Sequence, residues 1–138
     1  MSLVYLDSSA LIKLLIEEEE SAHLTDVVNN YLASDVRLVT SSIARVELNR
    51  ARIRNDLLGA QGRFEVDAQN AVLDALDILQ ITGEIIDVAS SITFHTKSLD
   101  AIHLATADVL RDDLEALITY DENMLRVGRL MKLNARGA

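Results

Sequence analysis

Four acidic residues, far apart in the chain, stand at positions where a carboxylate is either costly to bury or presented to a ligand. Asp7 follows Leu3-Val4-Tyr5-Leu6, an apolar run too short for a helix and closed by Asp-Ser-Ser, so it stands at the carboxyl end of an interior strand. Asp121 repeats the arrangement after Leu114-Glu115-Ala116-Leu117-Ile118-Thr119-Tyr120. Asp100 comes two residues after Ser98, a suitable N-cap, in the first turn of a helix that is apolar nearly all round and belongs in the centre of the fold. Free backbone amides and the helix dipole there favour an ionised carboxylate. Glu47 falls on the stripe Ile43, Val46, Ile53 and Leu57, the expected core face of a helix over about 43–58. An acid on such a face needs a partner, since an unpaired charge in an apolar setting costs several kcal/mol at least.

Each position also has a plain structural reading. Asp7, Ser8 or Ser9 can cap the helix that follows, Arg50 or Arg54 can pair with Glu47, and first-turn aspartates are common without any function. Convergence separates the two readings. In open α/β sheets ligands collect at the carboxyl ends of the strands, and four carboxylates meeting there raise one another's pKa values. A hard divalent cation relieves them. With no cysteine and no histidine cluster, an oxygen donor set favours Mg²⁺ or Mn²⁺ over Zn²⁺. Such ions bridge phosphate oxygens and activate water, so phosphodiester hydrolysis is the natural chemistry.

The elements that must position these acids follow from hydrophobic pattern. Strands are expected at Leu3–Leu6, Val36–Thr40 and Leu114–Tyr120, with Arg129–Leu133 as a last edge strand and a frayed tail over 134–138. Ile78–Thr82 is either a further strand or the close of the helix before it. Helices are expected over about 10–15, 21–32, 43–58, 66–78, 84–92 and 98–109, with Ser41-Ser42 capping the third and Gly59 and Gly62 ending it. His23 and His95 read as an exposed and a loop histidine. His103, beside Leu99, Ile102, Thr106 and Val109, reads as a satisfied core histidine, its role open.

Composition sets the remaining bounds. A chain of 138 residues with 49% hydrophobic and 25% charged residues fits one globular domain over 1–138. The absence of cysteine excludes a disulfide scaffold, thiolate metal sites and a thiol nucleophile, and together with a charged amino-terminal run it points to a soluble, cytoplasmic protein away from membranes. A net charge of −9 argues against coating nucleic acid through the overall field. The segment 45–63 goes the other way, with Arg45, Arg50, Arg52, Arg54 and Arg63 against Glu47 and Asp56. It is either a phosphate-contacting edge or a solvated helix with internal pairs.

Taken in order, V-Y-L-D-S-S, S-S-I-A-R-V-E-L, S-L-D-A-I-H-L-A-T-A and L-I-T-Y-D span nearly the whole chain and resemble the PIN-domain ribonucleases, with a length similar to the VapC-type toxins of toxin-antitoxin pairs. The resemblance implies an α/β fold, a three-layer α/β/α sandwich whose central parallel sheet has about five strands in the order 3-2-1-4-5. It matches Asp7, Glu47, Asp100 and Asp121 to the family's acids, and Ser8 and Thr119 to hydroxyls that support the first and last of them. It implies Mg²⁺ or Mn²⁺ held chiefly by Asp7, Asp100 and Asp121, with Glu47 acting through water or on a second ion. The implied activity is endoribonucleolytic hydrolysis of RNA by water, leaving a 5′-phosphate and a 3′-hydroxyl, with Arg50, Arg52 or Arg54 on the RNA backbone. The toxin branch implies a homodimer and an antitoxin whose carboxyl-terminal segment lies over the acidic cleft. Two other roles fit the same fold: an RNA processing or decay nuclease without antitoxin, and a non-catalytic binding module. A module of that last kind would be marked by lost acids, and all four are present here.

Overall fold

The structure, a computed structural model, describes residues 1–59 and 63–138. Short branched runs alternate with amphipathic stretches as β1 (Leu3–Leu6), α1 (Ser8–Leu15), α2 (Ser21–Leu32), β2 (Arg37–Ser41), α3 (Ile43–Leu57), α4 (Val66–Asp74), β3 (Asp77–Leu79), α5 (Gly83–Ser90), α6 (Ser98–Val109), β4 (Leu114–Ile118), α7 (Glu122–Leu130) and β5 (Ala135–Arg136). The five strands pair in parallel in the order β3-β2-β1-β4-β5, as expected. Parallel neighbours need helical crossovers, and these cover both faces of the sheet. Side chains alternate along β1 accordingly. Val4 and Leu6 pack with Leu11, Leu24, Leu48 and Ile118 on one face, while Tyr5 packs with Leu104, Leu117, Met124 and Val127 on the other. The result is the three-layer α/β/α sandwich. Among the described residues no helix is long and apolar enough to cross a membrane.

Register fixes what leaves the sheet edge. Leu6 is level with Ile118, so Asp7 and Thr119 emerge next to each other from the two central strands, and the Asp7 amide still reaches the Ile118 carbonyl at 3.2 Å. Placing β1 in the middle of the order, with β2 and β4 on either side, puts the topological switch point at this edge.

Three expectations are corrected. The stripe Ile43, Val46, Ile53 and Leu57 does not face the core: Val46 is 54% and Leu57 82% exposed, and α3 is buried instead through Ala44, Leu48 and Ala51. Periodicity shows which residues share a face but not which face meets the core. The predicted strand Arg129–Leu133 is the end of α7 and the turn after it. Met124, Val127 and Gly128 repeat at helical spacing and are buried, and the chain then stops the helix with Lys132 in the left-handed region at φ 63°. The Lys132 amide bonds the Arg129 carbonyl and the Leu133 amide the Gly128 carbonyl, the paired closure of a Schellman turn. The true edge strand, Ala135–Arg136, lies in the predicted frayed tail and pairs with Leu117 and Ile118. Finally, α6 begins at Ser98 after Lys97, with no side-chain capping bond. Of the pair proposed to end α3, Gly59 takes a left-handed φ of 57° and Gly62 lies outside the described residues.

Gly128 lets α7 sit against the edge of the sheet. A Cβ there would come within 2.8 Å of the Ala135 Cβ and 3.2 Å of Leu117. Gly128→Ala is therefore expected to destabilise the protein by about 1–3 kcal/mol, the scale of overpacking in a filled core. Chemical denaturation checks this, and an unchanged midpoint would show that the edge is loosely packed.

Candidate active site

At the carboxyl edge of the sheet, Asp7, Glu47, Asp100 and Asp121 line one cavity of about 360 Å³ together with Ser8, Ser9, Arg50, Arg54 and His103. The four acids come from the end of β1, the second turn of α3, the first turn of α6 and the start of α7. Among the described residues, no three acids or histidines stand close enough together to form a ready coordination shell. They share a cavity without yet closing on a point.

Asp7 is 2% exposed. Its Oδ1 accepts from the Ala10 amide at 3.0 Å and the Ser9 hydroxyl at 2.6 Å, and its Oδ2 accepts from Thr119 Oγ1 at 2.5 Å. The capping reading and the site reading are therefore both true of this residue. Burial pushes its carboxyl above the usual range, opposed by Ser9, Thr119, His103 and the Ala10 amide. Asp121 repeats the arrangement: Oδ1 caps α7 by accepting from the Met124 amide at 2.7 Å, while its own amide donates to Thr119 Oγ1 at 3.1 Å. Thr119 thus ties the two aspartates together.

Asp100 lies in the first turn of α6, as expected, and is partly buried. The helix dipole does not decide its state. Burial, and next the charge of Asp121, push its carboxyl above the usual range, Asp7 and Glu47 add to this, and His103 opposes it. Mutual repulsion among the acids is therefore present in the structure.

Glu47 finds neither Arg50 nor Arg54. Ser8 Oγ donates to its Oε1 at 2.6 Å, and His103 Nε2 lies 2.6 Å from the same oxygen. Burial alone would raise its carboxyl, but the hydrogen bond and charge of His103 and the Ser8 hydroxyl outweigh it, and the net shift is downward. Ser8 therefore supports Glu47, and the hydroxyls on Asp7 belong to Ser9 and Thr119. Ser9, His103 and Tyr5, whose hydroxyl lies 2.6 Å from His103 Nδ1, are site residues that sequence reasoning missed. The available signal was His103 itself, a polar ring on a helix otherwise buried among apolar groups, three residues from Asp100. Of the three candidate arginines, Arg50 and Arg54 line the cavity and Arg52 does not; the Arg52 Nε is buried and has no hydrogen-bond partner among the described residues.

The carboxylate set, with the hydroxyls of Ser8 and Ser9 and no thiolate, suits a hard cation by donor chemistry. Comparisons with known proteins agree with this architecture. The PIN domain family model matches residues 4–130. Ribonuclease VapC46 of Mycobacterium tuberculosis is 38% identical over 125 residues, covering 90% of this chain and 88% of its own. Ribonuclease VapC47 of the same species is 40% identical over 124 residues, covering 89% and 88%. VapBC2 of Rickettsia felis, crystallised bound to a DNA fragment from its promoter, contains a chain that superposes with a TM-score of 0.70 at 12% identity over 98% of both chains, a likeness of fold. With its sheet order, its acidic cavity and this extent of identity, the chain belongs to the PIN-domain family and stands beside the VapC ribonucleases.

Proposed function

We propose that the protein is a divalent-metal-dependent endoribonuclease, acting in the cytoplasm as the toxin of a toxin-antitoxin pair. The observation that carries this reading is that carboxylates separated by up to 114 positions in sequence, Asp7 to Asp121, line one cavity at the switch point of a parallel sheet. The names of the matched relatives, ribonucleases of the VapC type, supply the substrate class.

Asp7, Asp100 and Asp121 would hold Mg²⁺ or Mn²⁺, with Glu47 acting through water or on a second ion. When bound, the ion supplies a Lewis acid that lowers the pKa of water and offsets the charge of the phosphate. The chain's own groups set the stage for that chemistry. Ser9 and Thr119 hold Asp7 in one orientation, and Oδ2, with a single hydrogen bond, keeps a lone pair free. Glu47, held ionised by Ser8 and His103, accepts a hydrogen bond from water on the substrate side. Arg50 and Arg54 on the cavity wall meet the phosphates of the RNA. With water as nucleophile the 2′-hydroxyl is not consumed, and the products carry a 5′-phosphate and a 3′-hydroxyl.

An antitoxin and a second copy of the chain complete the proposal. The exposed stripe of Val46, Ile53 and Leu57 on α3, with Leu58 just past its end, gives partners an apolar surface next to the cavity.

RNA cleavage measured with and without EDTA tests the reading. EDTA is expected to abolish cleavage and added Mn²⁺ to restore it. Asp7→Asn and Asp100→Asn each lower kcat on the order of 10²-fold or more, the scale of losing one preorganised charge in a dry site. Full activity in either variant, or in EDTA, would sink the proposal.

Stability of the metal-free protein gives a second check. Raised folded-state values for Asp7 and Asp100 mean that their ionised forms cost stability at neutral pH. The cost is full above those values, shrinks as the pH falls through them and is gone below the ordinary 3.8. Asp100→Asn is expected to raise Tm in EDTA at neutral pH and to flatten the gain that wild type shows as the pH falls toward the ordinary 3.8. A lower Tm for the variant would contradict the repulsion.

For the arginines, binding of a non-cleavable single-stranded RNA across a salt series is the measurement. Arg50→Ala and Arg54→Ala each reduce the salt slope by roughly 0.7. Arg52→Ala, off the cavity wall, leaves it unchanged.

A further inference from the structure

Behind Glu47 lies a buried pair of polar groups, His103 and Tyr5. His103 is 1% exposed and Tyr5 fully buried. The Tyr5 hydroxyl lies 2.6 Å from His103 Nδ1, and His103 Nε2 lies 2.6 Å from Glu47 Oε1. The rings meet edge to face, 5.8 Å apart at 77°. Glu47 is an acceptor, so Nε2 carries the hydrogen directed at it. Both ring nitrogens are engaged, and the imidazole cannot turn without leaving a buried polar group unpaired.

This is not a nucleophilic triad. Such a triad places the carboxylate on Nδ1 and the serine on Nε2. Here Glu47 and Ser8 both meet Nε2, Ser8 at 3.1 Å, and the Ser8 hydrogen is given to Glu47. Ser8 is thereby spent as a donor rather than activated as a nucleophile.

The distribution of bonds on Glu47 shows what the chain does instead. Ser8 and His103 both bind Oε1. Among the described residues no protein group hydrogen-bonds Oε2, and the side chain is 21% exposed, on the cavity wall. One oxygen is pinned inward and the other is turned to the cavity. An unrestrained glutamate in mid-helix would sample several rotamers, and fixing one carries an entropic cost.

We propose that His103, braced from behind by Tyr5, is a positioning residue that fixes the Glu47 carboxylate with one oxygen facing the cavity, so that a divalent cation meets it already in place. The inference rests on the metal-dependent reading of the cavity given above. It concerns the geometry of an acid, and no proton transfer by His103 is involved.

Mn²⁺ binding, followed by calorimetry or by loss of the free-ion EPR signal, tests it in wild type, His103→Leu, His103→Gln, Glu47→Gln and the double variant His103→Leu/Glu47→Gln, each checked for folding by thermal unfolding. His103→Leu is expected to weaken Mn²⁺ binding by roughly tenfold or more, the usual effect of losing a group that orients a ligand. His103→Gln, whose amide can accept from Tyr5 and donate to Glu47, recovers most of that loss. On top of Glu47→Gln, His103→Leu adds nothing, because both act through one carboxylate. Wild-type affinity in His103→Leu, failure of His103→Gln to recover it, or additive losses in the double variant would each overturn the proposal. Should His103→Leu fail to fold, Tyr5→Phe takes its place, with weaker Mn²⁺ binding expected and unchanged affinity overturning the inference. Wild-type affinity in Glu47→Gln would remove this proposal alone and leave a site built on the three aspartates. Absence of Mn²⁺ binding by wild type would remove both readings.

Discussion

Repulsion among carboxylates gathered at one sheet edge is the constraint the rest of the structure answers. Three of the four acids meet it in the same way. Asp7 and Asp121 cap α1 and α7, and Asp100 lies in the first turn of α6, so each faces the amino terminus of a helix, where free amides and the dipole offset negative charge. Thr119 and Ser9 add hydroxyl donors at Asp7. Glu47 stands in the second turn of α3 and has no such help. It is met instead by a buried imidazole and a hydroxyl from two other elements. The sheet order makes this possible, because only with β1 between β2 and β4 do the starts of α1, α3 and α7 come to the same edge.

That help is incomplete. Burial and neighbouring acids still hold Asp7 and Asp100 above the usual carboxylate range. Residual strain of this kind is what a bound cation would relieve, and a site that lacked it would gain little by binding one. The arrangement also explains why stability and activity pull apart here: removing an acid eases the folded chain while it empties the cavity of the charge that a metal requires.

How much of this could be read in the sequence depends on the range of the interaction. Strands buried on both faces announce themselves as apolar runs, so β1, β2 and β4, and with them Asp7 and Asp121, were legible within a residue or two. Asp100 was legible in position but not in state, since the dipole is local, while its burial is set by the tertiary fold and the like charges that add to it come from residues 21 to 93 positions away. Ser8, Ser9 and Thr119 were visible as hydroxyls near acids, yet which hydroxyl serves which acid depends on the turn from strand to helix. Tyr5 looked like core and is core. Its second role appears only when α6 brings His103 against it. The edge strand was lost because Lys132 and Asn134, both with positive φ, end α7 and redirect the chain without glycine or proline to mark the turn.

The misplaced stripe on α3 has the largest consequence, because it bears on how Glu47 reaches its partners. Its inner face is Ala44, Leu48 and Ala51, at i, i+4 and i+7. Two alanines in three positions leave little bulk between α3 and its neighbours, so the backbone of α3 can approach α1 closely. Glu47, one residue before Leu48, then spans the gap to Ser8 at the head of α1 with a 2.6 Å hydrogen bond. Had Ile43, Val46, Ile53 and Leu57 formed the inner face, their volume would have held α3 farther off and rotated Glu47 relative to the cavity. The small residues and the outward apolar ones are thus two sides of one solution: the helix gives up a bulky core face to bring Glu47 within reach, and the branched side chains it does carry are left at the surface, beside the cavity, for another molecule to cover.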